Sequence, residues 1–146
     1  MSADWEAAYR ASRYAFPWHG RWREFSLDGD EPRMADLDRS VTLITAWNPG
    51  SEEKPRAWNV AANARLLRAL VARQVPWEPA WGGSLPGVQP AWKEDGFAAF
   101  GWTRAEALRW GREYGQRALV WLDAETAGLL FCADGRFAPC GLRRFV

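Results

Sequence analysis

Histidine and cysteine are scarce in this 146-residue sequence, and their scarcity excludes several kinds of active site. His19 is the single histidine, so a catalytic triad would depend on one residue in a Pro-Trp-His-Gly turn. The two cysteines, Cys132 and Cys140, flank an Asp134-Gly135 hairpin signal out of register for a disulfide. We expect both thiols to be reduced and mostly buried. This inventory predicts no metal site, since zinc needs several such ligands close together.

Long apolar runs and an excess of one charge are also absent. No stretch approaches the roughly 20 apolar residues of a membrane-spanning helix, and the N-terminus lacks the pattern of a signal peptide. We therefore expect a cytoplasmic protein without membrane contact. The net charge is +1, which gives no strong nucleic-acid signature. The glycine-rich segment 82–87 lacks the lysine of a phosphate-binding loop, so we expect no cofactor.

Tryptophan, in contrast, is abundant, with eleven residues in the chain. Each indole combines a large apolar body with one hydrogen-bond donor. Two interpretations stay open at this stage. The rings could fill the core and hold loops in place, or some could form an exposed surface that stacks on a base, a sugar or a partner protein.

The pattern of apolar residues predicts an α+β fold in a single domain, residues 1–146. Strands are expected at 21–27, 41–47, 94–100, 118–122, 128–132 and 136–138, and a short helix within 3–15. The two main helices are expected at 55–73 and at 103–114, the second after a Thr103–Glu106 capping box. The apolar stripe of the first helix is expected on Val60, Ala64, Leu67 and Val71, widened by Leu66 and Leu70. Residues 76–92 read as a long irregular loop. Together these elements predict a mixed, mostly antiparallel sheet of about five or six strands, with both main helices on one face.

One group of polar residues stands out as a candidate site. The strand ending at Trp47 delivers Asn48, and Ser51 follows in the same turn. Asn59 and Asn63 lie one turn apart on the next helix, and Asn63 falls inside its apolar stripe. These residues either brace the turn or form a polar pocket at a helix N-terminus, which favours an anion or phosphate.

Two further polar residues follow later in the chain. Glu94 begins a strand after the tryptophan-rich loop, and it is a weak catalytic candidate because no second titratable group accompanies it. Gln116 lies between a helix end and a buried strand, where a glutamine either seals the helix end or contacts a ligand.

Several of these residues belong to a known pattern. The string Ile44-Thr45-Ala46-Trp47-Asn48-Pro49, followed by Asn59 and the Leu66/Leu70 spacing, resembles the bacterial family catalogued as domain of unknown function 3293. Glu94-x-x-Phe97 and Tyr114-Gly115-Gln116 before Val120-Trp121 are similar to its later landmarks, and the resemblance extends from about Tyr9 to Phe131. It implies a small stand-alone cytoplasmic protein and supplies no activity. Gly96 stands where a serine is common in the family.

Three functions are compatible with these features. The first is an uncharacterised binding domain for a small polar or phosphate-bearing, nucleotide-like ligand at the Asn48-Pro49-Gly50-Ser51 turn, with Trp47, Trp81 or Trp92 stacking on it. The second is a protein-interaction or regulatory module that uses exposed tryptophans as anchors. The third is an enzyme with Glu94 as general base.

Overall fold

The structure, a computed structural model, describes residues 2–145, and the side chains from residue 5 onward. In this range the chain forms three α-helices, one short 3-10 helix and nine strands. The helices are α1 (Ser2–Arg10), α2 (Arg56–Ala72) and α3 (Arg104–Glu113), with the 3-10 turn at Pro49–Ser51. The strands are β1 (Ser12–Trp18), β2 (Arg21–Glu31), β3 (Val41–Ile44), β4 (Trp77–Ser84), β5 (Lys93–Phe100), β6 (Ala118–Leu122), β7 (Ala127–Phe131), β8 (Phe137–Pro139) and β9 (Leu142–Phe145).

The predicted fold class is wrong in the size and pairing of the sheet. All nine strands belong to one sheet in the order β8-β7-β6-β3-β5-β4-β1-β2-β9, and it curls into half of a barrel. Every paired neighbour is antiparallel, so the sheet is not mixed. The protein is mostly β, with three helices rather than two main ones.

The mixed sheet was expected because a helix between two strands usually makes them parallel neighbours. Here another strand separates each such pair. β5 lies between β3 and β4, which α2 connects, and β3 lies between β5 and β6, which α3 connects. The central order β6-β3-β5-β4 is that of a split β-α-β, ferredoxin-like arrangement. The other strands extend this unit at both edges.

Residues 76–92 contain the largest local error, since the first half of this segment is a strand. Proline and glycine in Trp77–Ser84 suggest a loop, because proline removes a ladder donor. Pro79 nevertheless lies in the half of β4 that pairs with β5 alone, whereas β1 pairs only with Trp81 to Ser84. β1 and β9 were also missed, and the predicted strand 41–47 ends at Ile44.

The two faces of the sheet carry separate cores. On the inner face, side chains from both ends of the curled sheet meet in one cluster, which includes Phe25, Leu129 and Leu142. Residues of α2 and α3, including Leu66 and Ala107, pack on the outer face. α1 reaches the inner face through Tyr9. The inner face therefore has space beside α1 that the two longer helices do not fill.

The buried face of α2 matches the predicted apolar stripe only in part. Leu66 and Leu70 are buried, but Val60 and Val71 are 48% and 57% exposed. Asn59 and Asn63 occupy the buried face instead, because their amides bind the backbone that follows β3. The hydrogen bonds of Asn59 and Asn63 thus place these asparagines, rather than Val60 and Val71, on the buried face of α2. Hydrophobic periodicity does not take such polar partners into account.

Two local predictions are confirmed. The Thr103 Oγ1 accepts from the Glu106 amide at 3.1 Å, and the Glu106 carboxylate accepts from the Thr103 amide at 2.9 Å, which completes the capping box. Cys132 and Cys140 are free and buried, and burial raises the pKa of both thiols. Among the described residues, none of the helices is long and apolar enough to cross a membrane.

Candidate functional site

A cavity of about 290 Å³ lies on the inner face between α1 and the central strands. Its wall includes five of the residues singled out in the sequence: Trp47, Asn48, Ser51, Glu94 and Gln116. Asn59 and Asn63 are absent from the lining. The structure thus brings most of the candidate residues together on the cavity wall, and it places the two helix asparagines behind that wall, where Asn59 is hydrogen-bonded to Asn48.

Glu94 and Asn48 form the polar centre of the cavity. β5 presents Glu94 beside Gly82 of β4, and the Asn48 Nδ2 donates to the Glu94 Oε1 at 3.3 Å. Glu94 is half-buried, and burial raises the pKa of its carboxyl group, while the Asn48 hydrogen bond opposes this effect. A carboxyl group with a raised pKa in a cleft is a feature of functional sites.

Asn48 is held in place by bonds to backbone and side chain. Its Oδ1 accepts from the Lys54 amide at 2.9 Å and from the Asn59 Nδ2 at 2.8 Å. The Asn59 Oδ1 accepts in turn from the Asn48 amide at 2.9 Å. Asn48 also adopts a left-handed conformation, with φ 46°. These contacts leave the Nδ2 group of Asn48 directed at Glu94.

Asn63 has a purely bracing arrangement. Its Oδ1 accepts from the Ala46 amide at 2.8 Å, and its Nδ2 donates to the Asp95 carbonyl at 2.8 Å. Asn63 thereby satisfies backbone groups that a longer β3 would have paired within the sheet. The bracing interpretation of the asparagines therefore holds for Asn59 and Asn63, whereas Asn48 both braces the turn and lines the cavity.

The other side of the cavity is built on the 3-10 turn. The Gly50 amide donates to the Gly115 carbonyl at 2.6 Å. Arg117 donates from Nε to the Ser51 Oγ at 3.3 Å and from Nη2 to the Gly50 carbonyl at 3.1 Å. The Gln116 Nε2 donates to the Tyr114 carbonyl, which ties its side chain toward the end of α3. Arg117 was not recognised from the sequence, where it is one of many arginines.

Residues near the N-terminus supply the remaining wall. Trp5 and Tyr9 of α1 line the cavity, and the Arg117 guanidinium stacks on the Trp5 ring at 4.2 Å. Tyr14 of β1 lies beside Gly82 in register. Burial raises the pKa of both tyrosines, so their hydroxyl groups stay protonated near neutral pH. No sequence motif marks Trp5, Tyr9 or Tyr14. They are identified only by the packing of α1 and β1 around the cavity.

The three tryptophans expected to stack on a ligand behave differently. Trp81 borders the cavity, but alternation along β4 places its ring on the face opposite Gly82. There Arg13 and Lys93 lie 5.1 and 5.0 Å from the ring centroid. Trp92 shares the face of Glu94, lines the cavity and is 46% exposed, and Trp47 lines it as well. The Arg56 guanidinium lies 5.9 Å from the centroid of the Trp47 ring, so Trp92 is the most available of the three rings to a ligand.

Gly82 is the residue whose small size keeps the cavity open. Among the thirteen glycines, it alone has neither a positive φ nor an atom closer than 3.0 Å to the point where a Cβ atom would lie; the nearest neighbour of that point is the Tyr14 ring at 3.5 Å. Backbone geometry therefore does not require glycine here. A side chain at this position would project between Tyr14 and Glu94, into the cavity.

Residues 44–119 match the sequence profile of a family described as "Protein of unknown function (DUF3293)". The chain belongs to this family. No curated protein and no solved structure matches the chain. The DUF3293 match is shorter than the resemblance seen in the sequence, which began near Tyr9. It contains Asn48, Glu94 and Gln116 but neither α1 nor β1, so the polar side of the cavity lies within the family region and part of the aromatic wall outside it.

The remaining surface offers less focused features. Four tryptophans are at least 36% exposed, and they lie on or beside different elements: Trp22, Trp58, Trp77 and Trp92. Among the described residues, no group of three or more histidine, cysteine, aspartate or glutamate side chains could hold a metal ion. The acidic segment 28–38 is partly neutralised, since Asp36 pairs with Arg23 at 2.7 Å and Glu31 with Arg144 at 2.9 Å.

Proposed function

We propose that the protein binds a small organic ligand in the cavity between α1 and the inner face of the sheet. The observation that carries the proposal is the convergence of Asn48, Ser51, Glu94 and Gln116 on one cavity that aromatic rings also line. A concave, largely apolar site with a few directed polar groups is the usual form of a small-molecule pocket. The volume of about 290 Å³ is near the lower end of such pockets, about 300 Å³.

The position of the polar groups changes the expected ligand chemistry. The 3-10 turn ends at Ser51, α2 begins only at Arg56, and none of the residues of α2 lines the cavity. Its N-terminal amides are therefore not directed at the ligand, which removes the main reason to expect a phosphate. A phosphate beside Glu94 would also face a carboxylate. The polar part of the ligand is better matched by a group that donates hydrogen bonds.

Proton-transfer catalysis is a second candidate, favoured by the raised pKa of Glu94. The carboxyl group lines the cavity, and burial shifts its pKa upward, which is the direction that suits a general base. An enzyme would convert the bound ligand, and Glu94→Gln would then abolish turnover. A binding protein would release its ligand unchanged.

Fragment screening by ligand-observed NMR tests the binding function, with two variants at one position. Gly82→Ala adds one methyl group at ordinary contact distance from Tyr14, whereas Gly82→Leu fills the space beside Glu94. We expect fragments that bind the wild-type protein to bind Gly82→Ala and to lose binding in Gly82→Leu. Circular dichroism establishes that both variants are folded. Fragments that all bind folded Gly82→Leu unchanged, or a library without any hit, would contradict the proposal.

A further inference from the structure

We infer, building on the proposed binding function, that the ligand carries a cationic nitrogen on a flat apolar body and that Glu94 binds this nitrogen. The ligand class is thus a flat aromatic or heteroaromatic compound that carries an alkylammonium or amidinium group, rather than a phosphate or a carboxylate. The inference rests on the charges, the aromatic walls and the free hydrogen-bonding capacity of the cavity.

Glu94 lacks a counter-ion among the described side chains. The ion pairs of this part of the chain use other acidic residues, and none of them involves Glu94. Its chain neighbour Lys93 lies on the opposite face of the sheet, where it stacks on Trp81. A half-buried carboxylate without a cation is costly, and a cationic ligand would supply the missing partner.

The cation that does line the cavity is engaged elsewhere. Arg117 bonds the Gly50 carbonyl and the Ser51 hydroxyl and stacks on Trp5. Its charge lowers the pKa of Tyr9 while the charge of Glu94 raises it, so both charges act on this tyrosine. None of the ion pairs among the described side chains joins Arg117 to Glu94, which leaves the Glu94 carboxylate free to pair with a ligand cation.

The hydrogen bonds at Glu94 leave capacity for a ligand. Asn48 donates to the Oε1 atom alone, so the Oε2 atom has no protein donor among the described residues. A carboxylate accepts hydrogen bonds and donates none, and an amidinium or ammonium group donates without accepting. Such a charge-assisted bond is about twice as strong as a neutral one.

Aromatic rings line the cavity together with this carboxylate. Tyr14 and Trp92 share its face of the sheet, and Trp47 lies on the turn that holds Asn48. The faces of aromatic rings attract cations, and they also provide flat surfaces for the body of the ligand. The combination of one unpaired carboxylate with aromatic walls is suited to a flat cation.

Three matched aromatic probes separate the charge classes: benzamidine is cationic, benzoate anionic and benzyl alcohol neutral. Dissociation constants are measured by NMR titration of the wild-type protein, Glu94→Gln and the charge-matched control Glu125→Gln, which changes an exposed residue. We expect benzamidine to bind the wild-type protein and Glu125→Gln equally. Glu94→Gln should bind it at least about tenfold more weakly, which corresponds to about 1.4 kcal/mol.

The pH dependence provides a second readout. The polar or charged groups that line the cavity with Glu94 include Asn48, Arg117, Tyr9 of α1 and Tyr14 of β1, together with Ser12, Thr45, Ser51 and Gln116. Both tyrosines stay protonated because burial raises their pKa. Affinity for benzamidine should fall as the pH drops through the raised pKa of Glu94, and the affinity of Glu94→Gln should not change over this range.

Two results would overturn the inference: benzoate or benzyl alcohol binding as tightly as benzamidine, or unchanged benzamidine affinity in Glu94→Gln. Suppose that one of these two results is obtained, and that the fragments which bind the wild-type protein no longer bind Gly82→Leu. The ligand class is then wrong, while the cavity remains a binding site. If no probe and no library fragment binds, the proposed function fails as well.

Discussion

Glu94 illustrates how one residue of the candidate site can oppose stability. Burial raises its pKa, so folding favours the protonated form. The stability that this shift contributes is complete below the pKa of the unfolded chain and is lost as the pH rises through the folded-state pKa. At neutral pH the buried charge therefore costs stability, which is a common property of functional groups.

Replacing Glu94 should consequently stabilise the protein at neutral pH. We expect Glu94→Gln to raise the free energy of unfolding at pH 7 by roughly 0.5–2 kcal/mol, since it removes a desolvated charge and can still accept from Asn48. The gain should shrink as the pH falls toward the ordinary glutamate pKa of about 4.3. Urea unfolding at several pH values measures it, with Glu125→Gln as the control. Destabilisation at pH 7 would show that Glu94 has a structural role.

The asparagines show what sequence reasoning can establish at this scale. An asparagine on an apolar stripe must find partners, and this argument correctly marked Asn63 as constrained. It could not separate a bracing residue from a binding residue, because the partner atoms lie far away in sequence. The Asp95 carbonyl that Asn63 bonds is 32 positions away.

At the scale of elements, β4 links local sequence to the shape of the site. Its adjacent glycines have different roles. A Cβ atom on Gly83 would lie 2.8 Å from the Trp92 carbonyl, whereas the nearest neighbour of one on Gly82 would be the Tyr14 ring at 3.5 Å. Gly83 thus permits the close approach of β5, and Gly82 leaves the cavity open.

Alanine at these two positions should therefore have opposite effects. We expect Gly83→Ala to destabilise the protein by about 1–3 kcal/mol, since the backbone must shift to admit the methyl group. Gly82→Ala should be neutral or stabilise it by about 0.4–1 kcal/mol, because the unfolded chain loses freedom. Thermal or urea unfolding of the two variants measures the difference. Equal destabilisation by both would mean that Gly82 is fixed by packing and does not mark a cavity.

A comparison of α3 and β6 with β4 shows which elements local sequence patterns can locate and which they cannot. α3 and β6 were located closely, because a capping box and a continuous apolar run mark them. β4 was missed because Pro79 and two glycines obscure it, and its strand character depends on pairing with β5. The sheet was wrongly predicted to be mixed for a related reason, since no local signal shows that β5 inserts between β3 and β4.

At the scale of the whole molecule, the cavity forms because the three helices cover different parts of the two faces of the sheet. α2 and α3 cover the outer face of the sheet, and α1 covers only part of the inner face. The curled sheet leaves a concave space beside α1, where strands β1, β4 and β5 carry Tyr14, Gly82 and Glu94 in one row. The sequence could mark the polar residues of the site but not the wall formed by α1 and β1, which depends on tertiary contacts.

The decisive measurement is the location at which a ligand binds. The eleven tryptophan indole N–H groups serve as probes in a ¹H–¹⁵N NMR spectrum, titrated with a fragment that the screen identifies. We expect shifts at Trp5, Trp47 and Trp92, which line the cavity, and none at Trp22, Trp58 and Trp110, which do not. Shifts confined to Trp22, Trp58 or Trp110, with the cavity indoles unchanged, would contradict the proposed binding site.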